Sequence, residues 1–294
     1  MRTKILVGVD FGGTKILTGA MTEKGEILGE PVRIATNIDE EPDAVVRRIS
    51  GSVEEVLRGI GKTAAQVDAI GMGVTGPLDI KHGTILECPQ LPKLHYFPLR
   101  KAIEDQFAVP VYMNNDANCL IYGETLFGSG IGKNTVVGFT LGTGLGCAVI
   151  IDRKIFAGST ESAGEIWPSP YLGGTIEELV SGSGVSRIYK ELSGQERSSL
   201  DVAALAEQGD ANALATWQQF GSHLSVAIAW TINVIDPELV ILGGSISNAF
   251  KFFAPALEGS LRKAICPMPA EKTNVVCGQL GAYAGFIGAA ALAI

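Results

Sequence analysis

Charge is scarce in this chain and leans negative: 18% of the 294 residues are Asp, Glu, Lys or Arg, and the formal net charge is −8. That balance offers no general attraction to nucleic acid or to an anionic membrane, so neither is expected as a partner. Histidine is scarcer still, and His82, His95 and His223 are too dispersed along the chain to suggest a metal triad. The five cysteines, at 88, 119, 147, 266 and 277, are odd in number and form no CxxC pair. They disfavour a disulfide framework and a thiolate zinc site, and read as reduced thiols. The apolar stretch Ala282–Ile294 falls short of the ~20 residues of a membrane helix, is rich in Ala and Gly, and reads as a packed helix. A strand-like run begins almost at once, at Lys4–Val9, leaving no room for a signal segment, so the expectation is a cytoplasmic protein.

What the chain does have is apolar residues (46%) and 37 glycines, a composition suited to an α/β enzyme with many tight turns. At this length two domains are the default. An internal similarity supports them: ILVGVDFGGTKILTGAMTEKGEIL near the start and TVVGFTLGTGLGCAVIIDRKIFAG later both read strand, glycine turn, strand, charged turn, short strand. Between them, Asp43–Gly59 has helical spacing, Val67–Val74 is an apolar strand ending in Thr75-Gly76-Pro77, Pro98–Phe107 resembles a helix, and Val109–Met113 a strand. That strand runs into Asn114-Asn115-Asp116-Ala117-Asn118, after which Cys119–Phe127 continues as a helix. Helical patterns then fill Val185–Pro237, and the strand Leu239–Leu242 ends in Gly243-Gly244. No low-complexity linker separates the halves. The expected division is a smaller domain over 1–120, completed by a C-terminal helix over 281–294, and a larger one over 121–280.

Three segments carry residue types suited to phosphate chemistry. In Asp10-Phe11-Gly12-Gly13-Thr14-Lys15, backbone amides, a hydroxyl and an ammonium suit terminal phosphates of a nucleotide while Asp10 faces the accompanying Mg²⁺. Read alone, the segment also suits a plain hairpin with a surface lysine. Leu141-Gly142-Thr143-Gly144-Leu145-Gly146 supplies amides and a hydroxyl without charge, fitting either a neutral phosphate clamp or an ordinary turn. Asp116, at a strand-to-helix junction, fits a general base for an alcohol nucleophile and equally a helix cap.

Taken in order, these motifs with Ala163-Gly164-Glu165-Ile166, Gly71-Met72-Gly73-Val74-Thr75-Gly76-Pro77, Gly174-Thr175-Ile176-Glu177 before Ser181-Gly182, and the ending Ala284-Gly285-Phe286-Ile287-Gly288-Ala289-Ala290 resemble the ROK family of sugar kinases, within the actin-like ATPase superfamily. The resemblance covers essentially the whole chain. It implies an α/β fold of two actin-like (ribonuclease H-like) domains with an interdomain cleft, a homodimer, and ATP-dependent phosphorylation of a hexose or related sugar. On it, ATP with Mg²⁺ is held by Asp10, Gly12, Gly13, Thr14, Lys15, Thr143, Gly144, Gly243 and Gly244, and Asp116 is the catalytic base. Gly76, Gln90, Asn115, Asp116, Glu165 and Glu177 become the sugar contacts; either glutamate read alone is more commonly a solvated surface carboxylate.

Two positions depart from the family pattern. Many relatives carry His three residues after the glutamate of the GEIGH motif; here the position is Pro168, which can neither donate from a ring nitrogen nor bind metal, and Ser169–Thr175 contains no cysteine. No structural zinc is expected. Gln90 stands where relatives have Asn before Leu-Pro, keeping the amide but moving it by a methylene. Glucose is therefore only the default substrate, with another hexose, an N-acetylated sugar or a modified ligand as alternatives. Trp167 suits stacking on a pyranose and suits packing equally well. The rival functions are a sugar-responsive regulator, for which the chain shows no helix-turn-helix extension, a catalytically silent sugar-binding protein, and another ATPase on the same fold.

Overall fold

The β-branched run Ile5–Phe11 forms β1, which turns through Gly12–Thr14 into β2 (Lys15–Thr22), Phe11 facing Ile16 and Ile5 facing Thr22 in an antiparallel pair. β3 (Ile27–Ala35) continues the meander. In this computed structural model, which describes residues 2–294, α1 (Pro42–Gly59) follows. Proline sits in its first turn, where the missing N–H has no intrahelical partner to lose. Its stripe Val45, Ile49, Val53 and Val56 is buried against one face of the sheet. Then come β4 (Ala69–Val74), the two-residue strands β5 (Leu78–Asp79) and β6 (Thr84–Ile85), α2 (Leu99–Phe107), β7 (Val111–Asn115) and α3 (Asp116–Phe127). The sheet order is β3-β2-β1-β4-β7, with β4 parallel to both β1 and β7.

The second unit repeats this plan. β8 (Val136–Leu141), β9 (Leu145–Ile151) and β10 (Lys154–Ile155) form an antiparallel meander, followed by the short strands β11 (Pro170–Tyr171) and β12 (Gly174–Thr175). After α4 (Gly182–Ser193), α5 (Ser199–Glu207) and α6 (Ala211–Ile235), the chain forms β13 (Leu239–Gly243), α7 (Phe250–Ala264), α8 (Pro267–Lys272) and β14 (Asn274–Cys277). The sheet order β10-β9-β8-β13-β14 matches the first position by position, as duplicated actin-like units require. Trp217 and Phe220 of α6 pack with Phe253 of α7 at the centre of this unit's core.

The chain ends in α9 (Ala284–Ala291), which packs on β1, β4 and α3 of the first unit. The sequence prepares that surface. Gly8 of β1 lies in register between Gly19 of β2 and Gly71 of β4, making a row of three residues without side chains. A Cβ on Gly8 would strike the carbonyl of Phe286, one on Gly71 the carbonyl of Ala289, and one on Gly19 the Phe286 ring at 2.5 Å. The Gly- and Ala-rich helix therefore approaches the sheet at backbone distance.

By internal contacts the first unit comprises Met1–Ile131, Gly158–Glu161 and Leu280–Ile294, the second Gly132–Ala157 and Ser162–Gln279. The first runs past residue 120 because α3 packs along its whole length on α9 and β4, and the two units are nearly equal in size. The junction near Asp116 also differs from the sequence reading. β7 continues through Asn115 and α3 starts at Asp116 rather than Cys119, because Asn115 Oδ1 caps the helix at once, accepting from Ala117 N (2.9 Å) and Asn118 N (3.4 Å). No helix among the described residues is long and apolar enough to cross a membrane.

Candidate functional site

In the first unit, the parallel strands set one row of residues side by side: Asp10 of β1, Gly73 of β4 and Asn114 of β7. The next row is Phe11, Val74 and Asn115. Just beyond these carboxyl ends lie the Gly12–Lys15 turn, Gly76 and Asp116, the place where open α/β sheets present ligand sites. Gly73 has no side chain because the turn into α3 sits on it; a Cβ there would lie 3.5 Å from Asp116 Cα and 3.0 Å from Cys119 Cβ. Gly76 brings its backbone to the Asn115 side chain, whose Nδ2 is 3.2 Å from where a Cβ would be. Gly13 is pressed against Gln90, with 3.0 Å between its ideal Cβ and Gln90 Cβ. Asp10, Gly12, Gly13, Gly76, Gln90, Asn115 and Asp116 thus share one end of one sheet, with Thr14 and Lys15 exposed on the turn.

Electrostatics single out Asp10. Burial pushes its carboxyl above the ordinary value of 3.8, against the opposing pull of the Lys15 and Arg33 charges. Burial raises the Cys119 thiol well above its usual range, and the charges of Asp116 and Asp10 add to that rise. Asp116 Oδ1 accepts from Ala117 N at 2.8 Å, so this carboxylate occupies the first turn of α3 while Asn115, the residue before it, supplies the cap. Cys88 lies beside Gln90, Sγ 3.4 Å from Oε1, and its thiol is also raised, chiefly by burial.

In the second unit the β8–β9 turn closes through Gly142 N to Gly144 O (3.1 Å), with Thr143 exposed at its tip. Gly243 pairs with Thr140, and Gly244, at φ 82°, lies against Leu141 where a Cβ would strike the backbone. Thr143, Gly144, Gly243 and Gly244 are therefore neighbours. α4 meets the same turn, Gly182 N donating to Gly142 O at 2.8 Å. Glu177 joins them: its Oε2 accepts from Leu145 N at 2.8 Å, and a side chain on Gly144 would collide with it. Glu165 is exposed on the following loop, and its charge, after burial, helps raise the Cys147 thiol to about 12.

Sequence reasoning missed several contributors. Thr36 pins the first turn, its Oγ1 donating to Gly12 O (2.7 Å) and its N–H to Thr14 O (3.1 Å). Arg33 faces Asp10 from β3. Trp167, which the sequence offered for stacking or packing, also makes a bond not foreseen there, its Nε1 donating to Glu165 Oε2 at 2.6 Å. No local signal marks Thr36 or Arg33, since both reach the site only through strand pairing. A cavity of about 530 Å³ in the second unit, walled by Cys147, Ile166, Trp230 and Val234 among others, is apolar and is lined by none of the assigned site residues.

A family model described as ROK family matches residues 6–294. The chain belongs to the ROK family. It is 30% identical over 311 residues to a glucokinase of Thermotoga maritima, covering 98% of this chain and 96% of the relative. It is also 30% identical over 309 residues to an N-acetyl-D-glucosamine kinase of Photobacterium profundum, covering 98% of each. Among solved structures, a ROK family glucokinase from Streptomyces griseus in complex with glucose and AMPPNP superimposes with a TM-score of 0.83 at 28% identity, over 98% of both chains.

Against this family background, the residues present do not fit a structural zinc. Pro168 replaces the imidazole, and among the described residues no group of three His, Cys, Asp or Glu side chains is arranged to hold a metal. They do fit a nucleotide carrying Mg²⁺: the half-buried Asp10 carboxylate stands next to a glycine turn with an exposed hydroxyl and ammonium.

Proposed function

We propose that this ROK protein transfers the γ-phosphoryl group of ATP to a hydroxyl of a hexose or N-acetylhexosamine, with Asp116 as general base. The observation that carries the reading is the meeting of Asp116, Asn115, Gly76 and Gln90 with the Asp10–Lys15 turn at the carboxyl end of one sheet. A carboxylate is thereby combined with a phosphate-type turn. The glucokinase and N-acetylglucosamine kinase relatives support the same reaction class.

In this reading the sugar oxygen forms its bond to the γ-phosphorus, its proton passes to Asp116, and the bond to the bridging oxygen breaks to release ADP. Thr14, Lys15, Thr143 and Gly144 bind phosphate oxygens, while Gly243 and Gly244 let the backbone approach the nucleoside. Asp10 would hold the Mg²⁺ that accompanies the nucleotide, and the ion would supply charge neutralisation there. Asn115 spends its side-chain oxygen on α3, which leaves its amide group to donate to a sugar hydroxyl. Glu165 and Glu177 accept from hydroxyls.

The test is ADP release with Mg-ATP across glucose, mannose, fructose, allose, N-acetylglucosamine and N-acetylmannosamine. One sugar is expected to stand out in kcat/KM. Sugar-independent ATP hydrolysis would point to another ATPase, and binding without turnover would make the protein a sugar-binding one.

A further inference from the structure

Trp167 stands between the two glutamates assigned to the sugar. It is 43% exposed, and its indole N–H donates to Glu165 Oε2 at 2.6 Å. Its main-chain carbonyl accepts from Glu177 N (3.4 Å), and Glu177 Oε2 accepts in turn from Leu145 N (2.8 Å) in the β8–β9 turn. One residue thus touches Glu165 through its ring and Glu177 through its backbone. The loop is stiff on both flanks. Trp167 and Pro168 are the central pair of a turn closed by Ser169 N donating to Ile166 O at 3.0 Å, and the proline ring fixes the φ of residue 168. On the other side Gly164, at φ 89°, lies so close to Cys147 that no side chain fits. Ile176 N closes the loop onto Ser169 O at 3.0 Å.

We propose that Trp167 is a positioning and specificity-determining residue for the sugar. Its N–H holds one oxygen of Glu165 and turns the other toward the ligand, and its ring forms an apolar wall suited to the C–H face of a pyranose. An exposed glutamate with no such partner spreads over several rotamers, and binding would have to gather them. The departure at residue 168 then has a physical meaning: proline stiffens the backbone, and the indole beside it supplies a ring N–H donor. This inference rests on the sugar-kinase reading of Glu165.

The experiment compares wild type, Trp167→Phe, Trp167→Ala and Glu165→Ala, using the sugar that the turnover panel selects and titrating that panel by calorimetry. Trp167→Phe keeps a ring and loses the donor; it is expected to raise the sugar KM and Kd about 10-fold, with kcat within about two-fold and the KM for ATP unchanged. Trp167→Ala also loses the wall and raises the sugar KM further. The wild-type emission spectrum, less that of Trp167→Phe, should shift on adding sugar and stay still on adding ATP. If Glu165→Ala weakens sugar binding and Trp167→Phe does not, the positioning role is overturned while the kinase reading stands. If neither variant matters, the Glu165 assignment fails and this inference with it. If no sugar is turned over, the kinase reading fails, yet the binding titrations still decide the role of Trp167: unchanged or absent sugar binding overturns it.

Discussion

Glu124 is 1% exposed, and the end of α3 is built around it. Its carboxylate accepts from Leu280 N at 2.7 Å and Ser129 N at 3.1 Å, and its main-chain carbonyl accepts from Gly128 N (3.0 Å) and Gly130 N (2.9 Å). Gly128 lacks a side chain because the carboxylate fills that space. Glu124→Ala would leave the Leu280 and Ser129 amides without their charged acceptor. An unsatisfied buried amide costs about 1–3 kcal/mol, and release from burying a charge returns part of that, so the net loss is about 2–4 kcal/mol. At roughly 2–4 °C per kcal/mol for a unit of this size, the unfolding midpoint should fall by about 4–16 °C. Glu124→Gln keeps one carbonyl acceptor but turns an NH₂ toward the other N–H, and should lose about half as much. Circular dichroism melts give the midpoints, and hydrogen exchange should accelerate at Leu280 and Ser129 before the rest of the first unit. A Glu124→Ala midpoint within about 1 °C of wild type, with both amides still protected, would refute this reasoning.

Asp10→Asn should abolish phosphoryl transfer while stabilising the ligand-free protein at neutral pH. The folded-state pKa of Asp10 is raised by burial, so its favourable contribution is complete below the ordinary value of 3.8 and is lost as pH rises through the folded value. The stability difference between variant and wild type should accordingly grow from acid to neutral pH in melts run across that range, and Mg-ATP should protect only the wild type. Gly71→Val should destabilise the first unit by about 1–3 kcal/mol or more, because its side chain must displace α9 at Ala289. Urea titration checks it, with Gly51→Ala, on the exposed face of α1 with nothing near its Cβ, as the comparison expected to be neutral or stabilising.

The parts of this molecule legible in the sequence are those encoded locally. Both hairpins show as β-branched runs broken by glycine, because strand and turn preferences act over a few residues. The polar run at Asn114–Asn118 marks a junction for the same reason, although its division of labour, Asn115 capping and Asp116 first in the helix, depends on side-chain orientation. The stretch Phe250–Cys277 carried no element in the sequence reading. Pro255 lies inside α7, and Pro267 and Pro269 crowd α8, so its helical period is broken up and β14 is left as four residues. Glu124 reads as an ordinary helix-surface acid until tertiary packing buries it. The Trp167–Glu165 bond and the approach of Arg33 and Thr36 are products of loop and strand geometry, which no spacing rule conveys.

The central claim is that Asp116 takes the proton of the attacking sugar hydroxyl. Its most direct test is the kcat of Asp116→Asn with the preferred sugar, measured beside nucleotide and sugar affinities. The account predicts a fall of about 10²–10⁴-fold in kcat with ATP binding nearly unchanged, since the substitution keeps the size of the side chain and removes its basicity. Turnover within a few-fold of wild type would contradict it.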